Sequence, residues 1–187
     1  MKRYERRLPH WDVIGQPLFV TFRLHGSIPA NRVFPPSELT SGQAFVAMDR
    51  LLDSGATGPL YLRMPEIAVV VVEALKAGER DLGRYELHSF VVMPNHVHAL
   101  VTPNVYATKW LGPLKGFTAY QANRVLGLKG EPFWQHEGYD HLVRSPEEFR
   151  RIQRYIENNP VSAGLASCPE NFLWSSAPAM AAAAKIG

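Results

Sequence analysis

His96 and His98 stand two residues apart, and Tyr155 and Asn159 stand four apart. Along a β-strand, residues i and i+2 point to the same side. An extended stretch from 96 onward turns both imidazoles to one face, with Leu100 and Thr102 behind them. Val97, Ala99 and Val101 go to the other face. Two imidazoles on one strand face make half of a divalent-metal site. By itself the pair fits equally well two histidines bonded to backbone or water at the mouth of a hairpin. On a helix, residues four apart stack on one side. Tyr155 and Asn159 then share the edge of the stripe made by Phe149, Ile152 and Ile156. A tyrosine hydroxyl is a covalent nucleophile once a metal or base assists it. An asparagine amide oxygen is a ligand for a hard cation. Each has an ordinary alternative: Tyr155 as an amphipathic core residue, Asn159 as a helix-end residue before Pro160.

The surrounding pattern supplies the elements that must position these groups. Pro17 to His25 alternates Val20, Phe22 and Leu24 with Phe19, Thr21 and Arg23, which predicts a strand. Residues 27–64 are rich in Pro, Gly and Ser, with a short helix over Ser41 to Leu52. That is long for a connection and suggests an insertion. Pro65 to Lys76 reads as a helix with Ile67, Val70, Val71, Ala74 and Leu75 as its stripe, ended by Gly78. Tyr85–Met93 and Val97–Thr102 read as strands joined at the turn-forming pair Pro94-Asn95. A helix follows over Tyr106–Leu126, carrying Leu111, Leu114, Phe117, Thr118, Gln121 and Val125 and closed by Gly127. Phe133 to Arg144 reads as extended. Ser145-Pro146-Glu147-Glu148 is a helix start, with a cap, an early proline and acids in the first turn. That helix runs to about Asn158, where Pro160 and Gly164 stop it. The order β-α-β-β-α-β-α predicts an α+β, ferredoxin-like (split βαβ) antiparallel sheet with helices on one face. Many functions use that fold, so it does not decide this one.

Composition sets the bounds. The chain has 187 residues, 46% hydrophobic and 20% charged, which suits one folded domain with a core rather than disorder. No apolar run is long enough to span a bilayer. No charged-then-apolar leader opens the sequence, so the expectation is a cytoplasmic, nucleoid-associated protein that does not engage a membrane. One cysteine, Cys168, excludes an internal disulfide and a multi-cysteine zinc site. The formal charge of +3 is unevenly spread. Lys2, Arg3, Arg6, Arg7 and Arg23 stand against Glu5 and Asp12 near the start. A second basic stretch, 109–154, follows an acidic middle. This suits either an ordinary solvated surface or a polyanion that touches part of it.

Phe90-Val-Val-Met-Pro-Asn-His-Val-His98, followed by Tyr155-Ile-Glu-Asn-Asn-Pro-Val-Ser-Ala-Gly-Leu165, resembles the REP-associated tyrosine transposases. These are single-tyrosine HUH endonucleases, related to the transposases of small insertion sequences. Arg7-Leu-Pro-His-Trp11, Phe19-Val-Thr-Phe-Arg23, Phe133-Trp-Gln135 and Trp174-Ser-Ser-Ala177 carry the same likeness over most of the chain. The two long motifs together are specific, whereas either alone is weak.

The resemblance implies one HUH-type transposase domain over 1–187, with 27–64 as a family-specific insertion and 160–187 as a C-terminal tail. It implies cleavage and rejoining of single-stranded DNA next to palindromic, REP-like hairpins, by a monomer or homodimer. His96, His98 and Asn159 would hold Mg²⁺ or Mn²⁺, and Tyr155 would form a 5′-phosphotyrosine intermediate. No general-base carboxylate is part of the two motifs. Lys109, Lys115, Arg124, Arg150, Arg151 and Arg154 would bind DNA phosphates, with Arg3, Arg6 and Arg7 as a basic arm. Trp110 and Trp134 suit either base stacking or the core. Two other functions keep the same residues: a catalytically silent regulator that binds DNA hairpins, and a metal-dependent hydrolase that uses water.

Overall fold

The computed structural model describes residues 2–5, 9–28, 41–55, 57–136 and 138–179, without the side chains of 2–5, 9–12 and 41–44. Arg6, Arg7, the side chain of Arg3 and the last eight residues therefore lie outside what is described. Among the described residues the strands and α-helices are, in order, β1 (Lys2–Glu5), β2 (Pro9–Asp12), β3 (Leu18–Arg23), α1 (Ser41–Asp53), α2 (Pro65–Arg80), β4 (Tyr85–Val92), β5 (His96–Pro103), α3 (Ala107–Leu126), β6 (Tyr139–Leu142) and α4 (Pro146–Ser162).

Four strands form one antiparallel sheet in the order β4-β5-β3-β6. The first and last strands of the βαββαβ run thus lie side by side near one edge. This is the split-βαβ arrangement that the element order predicts. β1 and β2 make a separate two-stranded hairpin that the sequence pattern did not reveal.

The helices do not all lie on one face. Leu18, Val20, Phe22, Val97, Ala99 and Val101 meet α2 and α3 in the larger core. Phe19, Val91, Met93 and Leu100 turn the other way and meet α1 and α4 through Phe45, Ile152 and Ile156. The period-two alternation of β3 and β5 buries apolar side chains on both faces, so both faces need a cover. A register irregularity between Leu87 and Ser89 switches β4 between the two faces, so that Phe90 and Val92 face α2 and α3.

Two helix ends and one buried stripe differ from the sequence pattern for local reasons. α2 runs through Gly78 to Arg80. A Cβ at Gly78 would fall onto the Tyr85 hydroxyl, so this glycine serves a close approach and not a helix end. Tyr85 uses that approach to donate to the Leu75 carbonyl at 2.8 Å. The buried stripe of α3 is Trp110, Leu114, Thr118 and Ala122, while Phe117 and Val125 are exposed. α4 continues through Pro160, because proline holds a helical φ and removes only one donor. The N–H of Ala163 then closes the helix on the Asn159 carbonyl.

Residues 174–176 extend the sheet beyond β4. The Val92 N–H donates to the Trp174 carbonyl at 2.8 Å, and the Ser176 N–H donates to the Phe90 carbonyl at 3.0 Å. Among the described residues no helix is long and apolar enough to cross a membrane.

Candidate metal and nucleophile site

Strand alternation turns His96 and His98 to the α1/α4 face, and both are fully buried. Their Nε2 atoms lie 3.1 Å apart. Each ring is held from behind. Thr21, opposite His98 in the β3–β5 register, brings its hydroxyl to 2.7 Å from His98 Nδ1. The Asn95 amide oxygen lies 2.7 Å from His96 Nδ1. Burial and the neighbouring His98 charge push His96 down to about 3, so it stands neutral.

The third group comes from α1. Asp49 Oδ1 lies 3.0 Å from His98 Nε2 and 3.7 Å from His96 Nε2. Burial alone would raise the Asp49 carboxyl, but the charge and hydrogen bond of His98, with His96 and Asn159, hold it below its usual range. Asp53 sits one turn later, 3.9 Å from His96 Nε2. Burial, then the Asp49 charge, push Asp53 up to about 7.

This donor set fits a divalent cation. Ligands about 2.1 Å from an octahedral ion stand about 3.0 Å apart when adjacent. Two of the three separations, 3.1 Å and 3.0 Å, are of that size and the third, from Asp49 to His96, is 3.7 Å; Asp49, His96 and His98 offer three ligand atoms within 4.8 Å of one another. Oδ1 of Asn159 is buried without a hydrogen-bond donor. A buried amide oxygen left without a donor carries a desolvation cost, which a cation would offset.

Tyr155 reaches the same carboxylate from α4. Its hydroxyl donates to Asp49 Oδ2, and the Asn159 amide donates to that oxygen at 3.5 Å. The Tyr155 ring lies 5.6 Å from the His98 ring, and edge-on to Phe19 at 6.2 Å and Phe45 at 6.1 Å. Four residues singled out in the sequence, His96, His98, Tyr155 and Asn159, therefore meet in one place. Asp49 joins them without having been singled out, and it is the carboxylate that the two motifs lack.

Residues 72–159, which span both histidines and Tyr155, match the family described as IS200-like transposases. A solved structure of a REP-associated tyrosine transposase bound to a REP hairpin superposes on the chain with a TM-score of 0.52 and 20% identity. That superposition covers 94% of this chain and 82% of the other. No curated protein matches the sequence significantly.

The basic residues divide between the two faces of the sheet. Arg150, Arg151 and Arg154 are exposed on α4, which carries Tyr155. Arg151 leans on Glu148 at 3.4 Å. Arg150 lines a cleft of about 620 Å³ with Pro17, Val143, Arg144, Phe149 and Gln153. Lys109, Lys115 and Arg124 belong to α3, on the face away from the histidines. Lys115 is turned inward: it donates to the Gln135 carbonyl at 2.7 Å and the His136 carbonyl at 3.2 Å. Burial, then the charge of Arg23, lower its pKa to about 8. Arg124 lies over the Tyr120 ring at 5.8 Å. Trp110 and Trp134 are core residues, 1% and 7% exposed.

Proposed function

We propose that the protein is a metal-dependent tyrosine DNA transposase that cleaves and rejoins single-stranded DNA beside palindromic hairpins, with the whole chain acting as one domain. The observation that carries this is the shared carboxylate: one Asp49 oxygen faces the two histidines, and the other accepts from Tyr155. The match of residues 72–159 to the IS200-like transposases supports transposase chemistry, and the hairpin in the similar solved structure supports the substrate class.

His96, His98 and Asp49 would hold the ion, with Asn159 beside them as a further oxygen donor. Two imidazoles and a carboxylate favour Mn²⁺ over Mg²⁺, which prefers all-oxygen surroundings. When bound, the ion polarises the scissile phosphate and offsets its developing charge. The Tyr155 oxygen attacks phosphorus, the phosphorus–O3′ bond breaks, and a 3′-hydroxyl leaves after taking a proton from solvent. Asp49 Oδ2 accepts a hydrogen bond from the Tyr155 hydroxyl and would be the first acceptor of the proton that Tyr155 loses. The 5′-phosphotyrosine keeps the bond energy, so a second 3′-hydroxyl reverses the step and joins the strands without ATP. The rings of Phe19, Phe45 and His98 hold Tyr155 in place for this attack.

The test is a denaturing gel of a labelled hairpin with single-stranded flanks, incubated with protein and Mn²⁺. A covalent protein–DNA adduct, sensitive to protease, is the expected product. Cut DNA without adduct would mean a hydrolase, and retained but uncut DNA would mean a hairpin-binding regulator.

A further inference from the structure

Asn95 lies in the turn before β5, is 1% exposed, and uses both ends of its side chain. Its amide nitrogen donates to the Leu52 carbonyl at 2.9 Å. Its amide oxygen lies 2.7 Å from His96 Nδ1. These two contacts fix each other. A carbonyl can only accept, so the atom facing Leu52 is the NH₂ group. The atom facing His96 is then the oxygen, which also only accepts. His96 Nδ1 must therefore carry the proton, and His96 Nε2 presents a bare lone pair toward His98 and Asp49.

Leu52 lies between Asp49 and Asp53 on α1. One buried amide thus joins the turn that presents His96 to the helix that presents Asp49. Loops and short helices are mobile by default, and a ligand set drawn from two such elements needs a fixed spacing. Thr21 does a narrower task, since it touches His98 alone from within the sheet.

We propose that Asn95 is a positioning residue of the metal site: it sets the His96 tautomer and ties the histidine strand to the carboxylate helix. This rests on the metal site argued above. Partners behind a metal-bound histidine are typically worth about 10–100-fold in metal affinity.

The experiment uses the full chain and two readouts. Mn²⁺ binding is measured by titration calorimetry on protein stripped with EDTA. The ring tautomers are read by long-range ¹⁵N–¹H NMR without metal, with His96 assigned through its loss in His96→Gln. Wild type should show His96 protonated on Nδ1. Asn95→Ala should lose that preference and bind Mn²⁺ about 10–100-fold more weakly. Asn95→Asp keeps an acceptor for His96 but loses the donor to Leu52. It should therefore retain the tautomer and bind Mn²⁺ with intermediate affinity. Thr21→Val should leave the His96 tautomer unchanged. A wild-type His96 protonated on Nε2 overturns the proposal, and this holds even if Asn95→Ala fails to fold. Unchanged Mn²⁺ affinity in both Asn95 variants also overturns it, while the metal site stands. Failure of wild type to bind Mn²⁺ overturns the metal site first, and the proposal with it.

Discussion

Tyr155 donates its hydroxyl to Asp49, 106 residues earlier in the chain. The contact links α4 to α1 across one face of the sheet, and one carboxylate meets both the tyrosine hydroxyl and the two histidines. In the proposed reaction a proton acceptor and a charge-stabilising centre would then reach the phosphate from neighbouring directions. The aromatic walls of the site, Phe19, Phe45 and Tyr139, exclude water around that carboxylate; Phe45 stacks on Tyr139 at 4.6 Å.

Tyr155→Phe is expected to abolish adduct formation on the denaturing gel while hairpin affinity stays within about twofold. The phenylalanine ring preserves the edge-on packing against Phe19 and Phe45, so only the hydroxyl is removed. Stability should fall by about 1.5–3 kcal/mol, the range for a hydrogen bond to a charged group. Adduct at wild-type level would direct attention to Tyr139, whose ring is stacked in the same cluster.

Asp49→Asn tests the carboxylate that the motifs lack. The amide keeps the size of the side chain but removes its charge and its strength as a ligand and base. Calorimetry should show Mn²⁺ binding weakened by roughly tenfold or more. Adduct formation should fall by about 10²-fold or more, the usual range for a lost acid–base group. Mn²⁺ affinity equal to wild type would remove Asp49 from the ligand set and leave Asn159 as the third ligand.

The fold was legible because β3 and β5 alternate cleanly and an early proline marks the start of both α2 and α4. His96, His98, Tyr155 and Asn159 were legible because two short motifs hold them. Asp49 was not, since a single aspartate in a short helix resembles a surface charge. Its signal was present in α1: Phe45, Met48 and Leu52 mark the inward side, and Asp49 lies four residues after Phe45 on that side. A carboxylate on an apolar stripe must find a partner. The α3 stripe was misplaced because Phe117 and Val125 are apolar but exposed, whereas Trp110 and Ala122 are the buried positions. Hydrophobicity alone does not say which of two adjacent rows a helix buries.

Glu148 gives a pH test of the helix that carries Tyr155. Its N–H donates to the Ser145 side chain at 3.1 Å, and its carboxylate accepts from the Arg144 N–H at 2.8 Å and from His141 at 2.9 Å. Burial would raise the Glu148 pKa, but the Arg144 N–H, His141 and Arg151 bring it below 4.5. The unfolded chain therefore takes up this proton at a higher pH than the folded chain does. The stabilisation is full above about 4.5 and is lost as pH falls through the lower folded value. Glu148→Gln should destabilise the protein by about 1–2 kcal/mol near neutral pH. The gap between variant and wild type in urea melts should close as pH falls through the folded value. A gap that stays constant with pH would show that the carboxylate charge contributes nothing.

The last prediction separates the basic residues by their face of the sheet. DNA whose cleaved strand reaches Tyr155 must cross the α1/α4 side, where Arg150 and Arg154 are exposed on the helix that carries the tyrosine. Lys109 and Arg124 lie on α3 behind the sheet, and Lys115 is spent on the carbonyls of Gln135 and His136. Fluorescence anisotropy on a labelled hairpin across about 50–200 mM salt should show steep weakening, because each neutralised phosphate adds roughly 0.7–0.9 to the slope. Arg150→Glu and Arg154→Glu should each weaken binding and lower that slope, with little change in preference between hairpins, since phosphate contacts carry little sequence information. Lys109→Glu and Arg124→Glu should leave the slope near wild type. Lys115→Met should lower thermal stability before it alters the slope, because it releases two backbone carbonyls. A slope that falls equally for substitutions on α3 and α4 would mean that DNA wraps both faces, and a hairpin stem is long enough to do so. Equal affinity for hairpin, scrambled and single-stranded oligonucleotides would reduce the interaction to nonspecific electrostatics and leave the strand-transfer chemistry resting on the Tyr155–Asp49–histidine site alone.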